Sequence, residues 1–371
     1  MTRLSLQRHR AAKTLLALLC SFVFGLLLLE LSLYALFALV PVPVKQPTYS
    51  IANARVQFWA DLNPVFGVWH PPRVRYQHAK SCFNVIYRSN AYGARDRERA
   101  RHASEKRVLV LGDSFIEGLG VERAQRLSDR LERDTGIPHL NFGTAGNFGS
   151  TQYLLLYKTL VKSFSHNAVM VGVLPDNDFS DDDLSAHKHH TPDRYRPYLR
   201  GKYPHYRLVY TPGRLGLINH AWPMRTRRLL QEFSYTANVI PRLTRLFHPR
   251  YRPKGYAGYY DFNQAQLERL QYALRRIKSE AEGRSVTVFT IPRANDFARF
   301  GTAGSAPLPK RLETFCEQHG IRYVDLMPSM LGHTTNWAHY FLACDGHWSA
   351  AGHETAAAVL LKTLYAQRRS E

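Results

Sequence analysis

The stretch from Val108 to Ser114 reads VLVLGDS, four apolar residues followed by a glycine, an acid and a serine. A short apolar run without polar alternation is typical of a strand buried on both faces of a parallel sheet. A serine directly after such a strand starts the next helix, where its hydroxyl can act as a nucleophile and the helix N-terminus stabilises nearby negative charge. The alternative is a helix cap, in which Asp113 or Ser114 only satisfies free backbone N–H groups.

Further apolar runs predict the rest of a sheet. They cover residues 140–142, 168–173, 286–291 and 321–326. Helical periodicity lies between them, most clearly from Leu267 to Ala281, and Gly283 follows where a helix should stop. Alternating strands and helices predict an α/β fold. Five strands predict a doubly wound, flavodoxin-like parallel sheet, with its site at the carboxyl ends of the strands.

Three other motifs carry residues that could complete a serine site. Gly146, in NFGTAG after the second strand, would let backbone N–H groups approach a substrate oxygen. Asn177, in LPDND after the third strand, offers a side-chain amide. His347, in CDGHWS near the C-terminus, could act as a general base held in its tautomer by Asp345. Each motif alone fits an ordinary turn, but together and in this order they favour a catalytic site.

With these motifs the chain resembles the SGNH (GDSL-type) hydrolase family, over about 105–178 and 284–368. The resemblance implies the SGNH hydrolase fold and ester substrates, often acyl groups on glycans or lipids, with no metal or organic cofactor. It assigns Ser114 as nucleophile and His347 with Asp345 as base and partner. The Ser114 N–H, Gly146 and Asn177 would form the oxyanion hole.

Two motifs depart from the usual family pattern. The third reads Pro175-Asp176-Asn177-Asp178 in place of Gly-x-Asn-Asp, and the last has one residue rather than two between Asp345 and His347. The shorter form, followed by Trp348, is similar to the Asp-x-His-Trp element of periplasmic alginate and peptidoglycan O-acetyltransferase relatives. Acyl transfer is therefore an alternative to hydrolysis. His353 is the alternative base.

The N-terminal part predicts a membrane anchor. Residues 14–40 are almost wholly apolar apart from Glu30, and a helix of that length is roughly 40 Å long, enough to cross a hydrocarbon core of about 30 Å. Basic residues precede the segment and acids do not, which predicts a cytoplasmic N-terminus at 1–13 and export of the rest. A cleaved signal peptide is the alternative, although its apolar region is normally shorter. Glu30 would need a partner helix or a position near the interface.

The exported part divides into a linker or cap at 41–104 and an SGNH hydrolase-like domain at 105–371. Residues 179–262 interrupt the strand–helix pattern with 15 Lys/Arg, 6 Asp/Glu and 10 of the 21 tyrosines. This basic, tyrosine-rich insertion could lie on the active-site side, touch membrane or glycan, or pack loosely without a ligand.

The formal net charge of +21 predicts attraction to anionic surfaces. Nucleic-acid-binding motifs are absent from the sequence, so phospholipid or acidic polysaccharide is favoured over nucleic acid. The four cysteines, Cys20, Cys82, Cys316 and Cys344, match no metal spacing, and the last three could form at most one disulfide.

These patterns predict a single-pass protein of a bacterial inner membrane with its catalytic domain in the periplasm. Its predicted activity is that of a serine esterase, deacylase or O-acyltransferase on acyl esters of cell-envelope polysaccharide. The non-enzymatic alternative is a catalytically lapsed scaffold or glycan-binding component of an envelope assembly. Protein partners cannot be read from the sequence.

Overall fold

The computed structural model describes residues 3–190, 194–213, 215–216, 222–246, 253, 255–334 and 336–366. Its strands are β1 (Ala60–Asn63), β2 (Gly67–Trp69), β3 (Arg75–Lys80), β4 (Phe83–Arg88), β5 (Val108–Leu111), β6 (His139–Asn141), β7 (Ala168–Val173), β8 (Pro197–Lys202), β9 (His205–Tyr210), β10 (Ser285–Thr290) and β11 (Arg322–Asp325). Its α-helices are α1 (Arg3–Leu39), α2 (Ile51–Ala54), α3 (Ser114–Glu117), α4 (Leu127–Thr135), α5 (Ser150–Thr159), α6 (Pro175–Asp181), α7 (Leu184–His190), α8 (Trp222–Phe233), α9 (Tyr235–Leu246), α10 (Gln264–Glu280), α11 (Ala294–Ala303), α12 (Pro307–Gln318), α13 (Leu326–His333) and α14 (Ala350–Tyr365).

Five of these strands form one parallel sheet in the order β6-β5-β7-β10-β11. Numbered along the chain, that order is 2-1-3-4-5, the flavodoxin-like arrangement. The predicted α/β fold class is therefore confirmed. The predicted strands at 140–142, 286–291 and 321–326 are shifted by one residue at one or both ends.

Helices cover both faces of this sheet, which explains why its strands lack polar alternation. Leu109 and Leu111 face a layer that contains α5, α10 and α12. Val108 and Val110 face the opposite layer, which contains α4, α13 and α14. The side chains of β5 are thus buried on both sides.

The turn from β5 into α3 requires a glycine. A Cβ atom on Gly112 would lie 2.2 Å from Cγ1 of Ile116 and 3.0 Å from the carbonyl oxygen of Gly172. These distances are too short for any other residue without a shift of the chain. The tight turn places Ser114 as the first residue of α3, at the carboxyl edge of the sheet.

Residues 41–104 pack on the core through two antiparallel hairpins, β1–β2 and β3–β4. An aromatic cluster of Phe58, Tyr76 and Tyr87 lies between them. A disulfide joins Cys82, at the tip of β3–β4, to Cys344 near the C-terminus, while Cys316 is free and buried and Cys20 is free and exposed. Of the pairings that the sequence left open, the structure contains Cys82–Cys344. Disulfides persist mainly in oxidising compartments.

The basic insertion contributes no strand to the central sheet among its described residues, since β8 and β9 pair with each other. Its first half therefore forms a separate hairpin. Its second half contains α8, which packs on α2, and α9, which packs on α1.

Helix α1 contains the one helix segment in the described part of the chain that is long and apolar enough to cross a membrane, His9–Leu39. A signal sequence would pass the same test of length and composition. The Glu30 carboxylate accepts hydrogen bonds from Ser234 Oγ at 2.6 Å, from Tyr235 N at 2.8 Å and from Thr236 N at 3.1 Å. Glu30 therefore caps the N-terminus of α9, so the acid in this apolar helix does have a partner helix.

Candidate active site

Ser114, His347 and Asp345 lie together at the carboxyl edge of the sheet. Ser114 Oγ is 2.8 Å from Nε2 of His347, and Nδ1 of His347 contacts Oδ1 of Asp345. Asp345 and His347 lie in the loop before α14, which returns over the end of β5. This hydroxyl–imidazole–carboxylate chain can remove a proton from Ser114 and stabilise the resulting imidazolium.

The second oxygen of Asp345 contacts Nζ of Lys80, at the end of β3. Burial on its own would raise the pKa of Asp345. The charge and hydrogen bond of His347, reinforced by Lys80, instead lower the pKa well below its ordinary value. Asp345 therefore stays ionised beside His347. Lys80, which belongs to the 41–104 segment, contributes to this ionised state.

The loop that carries Gly146 is held from three sides. Gly146 has φ +103°, and a Cβ atom there would lie 2.9 Å from Cγ2 of Val68. The N–H of the preceding residue, Ala145, donates to Glu117 Oε2 at 2.5 Å. The carbonyl oxygen of Gly146 accepts from Arg196 Nη1, on the insertion, at 3.0 Å. The loop is therefore fixed by the core, by 41–104 and by the insertion together.

Glu117 is a buried residue of this site that the sequence analysis missed. Trp59 Nε1 donates to both its carboxylate oxygens, at 3.1 and 2.9 Å, and His70 Nε2 lies 3.5 Å away. Burial would raise the pKa of Glu117, but His70, Arg95 and Trp59 lower it overall. Its carboxylate thus holds the Gly146 loop through the hydrogen bond from the Ala145 N–H.

Asn177 lies in α6, directly after β7. Because β7 is the sheet neighbour of β5, Asn177 and Ser114 follow the ends of adjacent strands. Its backbone N–H donates to Leu174 O at 3.0 Å, which fixes the start of the helix. The side-chain role of Asn177 in an oxyanion hole stays a prediction.

Several buried carboxyl groups lie behind Ser114. Asp113 Oδ1 accepts the Phe115 N–H at 2.9 Å, while its Oδ2 has no hydrogen-bond partner among the described residues. Burial raises the pKa of Asp113 to about 7. Burial and the Asp113 charge also raise the pKa of Asp178, which accepts from Tyr153 Oη at 2.7 Å. These groups therefore hold protons that free aspartates would release.

His353, the alternative base, does not contact Ser114. Its Nδ1 accepts the Leu127 N–H at 3.3 Å, and its ring lies edge-on to Trp348 with centroids 5.5 Å apart. Burial, with Arg126 nearby, lowers the pKa of His353 to about 3. It is therefore a neutral structural acceptor between α4 and α14.

Arg293 is another residue beside the site that the sequence analysis missed. It follows β10, and its Nη1 pairs with Asp176 Oδ2 at 2.9 Å. Its guanidinium carbon lies 5.9 Å from the ring centre of Phe115, which in turn lies 4.9 Å from the ring centre of His347. A fixed cation therefore lies next to the His347 loop.

Two cavities on the described surface lie away from this site. One is lined by residues between α4 and α14, and the other by the amino ends of β5, β7 and β10. Both lack Ser114 and His347. The candidate site itself lies at the carboxyl edge of the sheet, where an open α/β fold binds its ligands.

The family model of GDSL-like lipases and acylhydrolases matches residues 110–355, which is more than half of the chain. The chain belongs to the GDSL-like lipase/acylhydrolase family. Ester hydrolysis is therefore the activity class of this GDSL-family enzyme. No curated protein matches the chain.

Solved structures of the same family are similar to this GDSL-family enzyme. One is a putative lipolytic GDSL protein from Desulfitobacterium hafniense (10% identity, 70% of this chain and 100% of that chain, TM-score 0.40). Another is the lipase/acylhydrolase from Enterococcus faecalis (13% identity, 70% and 96%, TM-score 0.38). A third is a GDSL-like lipase from Bacteroides thetaiotaomicron (15% identity, 71% and 91%, TM-score 0.36).

Replacing Lys80 by Met should lower kcat/KM of this GDSL-family enzyme about tenfold, equivalent to about 1.4 kcal/mol. Without the cation, the pKa of Asp345 rises and the carboxylate loses one of its two partners, so it orients His347 less firmly. Lys80→Arg should restore most of the activity. Lys45→Met is the matched control, because Lys45 pairs with Glu232 instead. A Lys80→Met variant with the same kcat/KM as the unmodified enzyme would contradict this role.

Asp113→Asn should make the stability of the enzyme less dependent on pH. The pKa of Asp113 is raised from 3.8 to about 7, so between about pH 4 and pH 7 the folded state binds more protons than the unfolded state. Stability therefore falls as pH rises through that window, by at most about 1.4 kcal/mol per pH unit for one proton. Denaturant unfolding across this range should give a shallower fall for Asp113→Asn.

The surface variant Asp134→Asn serves as the control for this measurement, since Asp134 pairs with Arg133 at the surface. Equal slopes for Asp113→Asn and the unmodified enzyme would show that Asp113 is not the proton-binding group.

Proposed function

We propose that this protein is a membrane-anchored, exported serine esterase, deacylase or O-acyltransferase that acts on acyl esters of cell-envelope polysaccharide. The observation that carries the proposal is the 2.8 Å contact between Ser114 Oγ and His347 Nε2, with Asp345 on the other ring nitrogen. A serine placed in this way can form an acyl-enzyme, the intermediate that both hydrolysis and transfer need.

In the proposed mechanism, Ser114 Oγ attacks the ester carbonyl while His347 Nε2 removes its proton. Asp345 stabilises the imidazolium, and Lys80 keeps Asp345 ionised. The tetrahedral oxyanion would accept hydrogen bonds from the Ser114 N–H, the Gly146 N–H and the Asn177 amide. The imidazolium then protonates the leaving alcohol, and water or a sugar hydroxyl releases the acyl group from Ser114.

The oxyanion part of this proposal is supported by the Gly146 loop. Among the described residues, no acceptor pairs with the Gly146 N–H. The neighbouring Ala145 N–H is held by Glu117, so the loop needs little rearrangement when charge develops on the substrate. Donors that are fixed before the reaction stabilise a developing charge most effectively.

The proposed location is the outer side of a bacterial inner membrane, with α1 as an uncleaved anchor. The basic N-terminus and the Cys82–Cys344 disulfide support export. Contact of Glu30 with α9 supports retention of α1, because a signal peptide that is removed has no need to be fitted to the mature domain. The net charge of +21 favours an acidic polysaccharide as substrate.

Ser114→Ala should lower kcat/KM for p-nitrophenyl acetate by at least about 1,000-fold in the detergent-solubilised full chain. It should also abolish labelling by a fluorophosphonate probe. Ser163→Ala is the matched control, since Ser163 is exposed and bonds only to Leu160 O among the described residues. Turnover that survives in Ser114→Ala, or that is absent from the unmodified enzyme, would favour the scaffold alternative.

Hydrolysis and transfer differ in the acceptor that reaches the acyl-enzyme. We expect the enzyme, given p-nitrophenyl acetate and an oligomannuronate acceptor, to release acetate and to transfer part of the acetyl to the sugar. Mass spectrometry of the oligosaccharide measures the transferred acetyl, and Ser114→Ala serves as the blank. Free acetate as the sole product at every acceptor concentration would end the transferase version and leave the esterase.

A further inference from the structure

The helical hairpin formed by α8 and α9 is fixed to the outer part of α1. Glu30 caps the first turn of α9, as described above. The ring of Tyr235 packs on Phe37 and Tyr34, with centroids 5.1 and 6.0 Å apart. On the α8 side of the turn between the two helices, the Glu232 carboxylate pairs with Lys45 and accepts a hydrogen bond from Thr48 Oγ1. The hairpin is therefore held against α1 by both polar and apolar contacts.

These contacts set the height of the hairpin along α1. Glu30 precedes the end of α1 at Leu39 by nine residues, or about 14 Å. A hydrocarbon core is crossed by about 20 residues, so a span that starts at Thr14 reaches its outer boundary near Tyr34. The turn between α8 and α9 contacts α1 between Glu30 and Phe37. The turn of the hairpin therefore lies at the level where the proposed span leaves the hydrocarbon.

Within the described residues, several large apolar side chains of the hairpin are exposed. Trp222 is 77% exposed, Leu230 54% and Leu243 50%. Other large exposed side chains lie on α8 and α9 and at the start of α2, which packs on α8: Leu229, Phe233, Ile240, Tyr49 and Ile51. Single exposed apolar residues are common in soluble proteins, but this many on helices that pack together indicate a binding surface.

This surface continues onto α1, where Leu31, Tyr34, Leu36 and Leu39 are also exposed. Tyr34 is exposed where the proposed span leaves the hydrocarbon, and exposed tyrosines are typical of a membrane–water boundary. A surface that joins the lipid-facing side of an anchor at this level meets the same bilayer.

The exposed charges on the hairpin are of one sign. Residues 222–246 contain five arginines and one glutamate, and that glutamate is the buried Glu232. Arg225, Arg227 and Arg242 are exposed. A second copy of so basic a surface would be repelled, whereas anionic phospholipid headgroups would be attracted.

We propose that the α8–α9 hairpin is an interfacial element that lies in the outer surface of the bilayer that α1 crosses. Its apolar side chains enter the boundary between headgroups and acyl chains, and its exposed arginines bind anionic phospholipid headgroups. This inference rests on the membrane-anchor part of the proposed function. With α1 and the hairpin both in the bilayer, the catalytic domain is attached at two places and has a fixed orientation to the membrane.

The test uses the full chain in proteoliposomes of phosphatidylcholine and phosphatidylglycerol, with bromines on the outer part of the acyl chains. Trp222 is one of five tryptophans, so its signal is the difference between the unmodified chain and Trp222→Phe. We expect the brominated lipid to quench this difference signal strongly. Leu243→Trp in the Trp222→Phe background should regain the quenching, since Leu243 is another exposed apolar side chain of the hairpin.

The lipid charge is tested in the same vesicles. Quenching of Trp222 should be stronger with phosphatidylglycerol than in phosphatidylcholine alone, and the combined variant Arg225→Gln, Arg227→Gln and Arg242→Gln should lose that difference. Equal quenching of the unmodified chain in both vesicles would overturn the anionic headgroup part of the proposal.

Alkaline washing of the vesicles separates the outcomes. If the chain stays in the membrane but Trp222→Phe and the unmodified chain are quenched equally, the hairpin proposal is overturned while the anchor stands. If the chain is released, the anchor itself fails, and the hairpin proposal with it. Turnover of p-nitrophenyl acetate by Trp222→Phe reports that the variant is folded, and the Ser114 chemistry is tested separately.

Discussion

The C-terminal loop depends on its attachment to the β3–β4 hairpin. Lys80 contacts Asp345, and two residues further along the chain Cys82 is joined to Cys344, next to that aspartate. One attachment is electrostatic and the other covalent, and both act on the short loop that orients His347 towards Ser114. A buried carboxylate needs a partner to remain ionised, and an imidazole needs a fixed carboxylate to keep its tautomer. The geometry of the site therefore rests on a hairpin outside the α/β core.

The sequence predicted the core because each of its strands carries a strong local signal. Apolar runs such as Val108–Leu111 are buried on both faces, and strand ends in a parallel sheet meet at one edge. Ser114, Gly146, Asn177 and His347 each follow or approach that edge, so their approximate positions could be predicted from the order of the motifs alone. The predicted helix from Leu267 to Ala281 agrees with α10 for the same reason, since its apolar period matches one buried face.

The supporting residues could not be predicted in this way, because their partners are distant in sequence. Lys80 lies 265 residues from Asp345, and Glu117 looks like an ordinary polar residue of a short helix. The cysteines carried the one sequence signal that could have located Lys80, because a disulfide between Cys82 and Cys344 brings Lys80 close to Asp345. Spacing alone did not distinguish that pairing from those with Cys316. Glu30 gave a clearer signal, because an acid within an apolar helix must find a partner.

The family match begins at residue 110, after the whole of the segment that contains Trp59, Val68 and Lys80. A fragment cut at that boundary would retain Ser114, Asp345 and His347. It would lose the cation under Asp345, the disulfide partner of Cys344 and the side chains that hold the Gly146 loop. We therefore expect the smallest working unit of this enzyme to be larger than its recognisable domain and to begin before Phe58, outside the matched range.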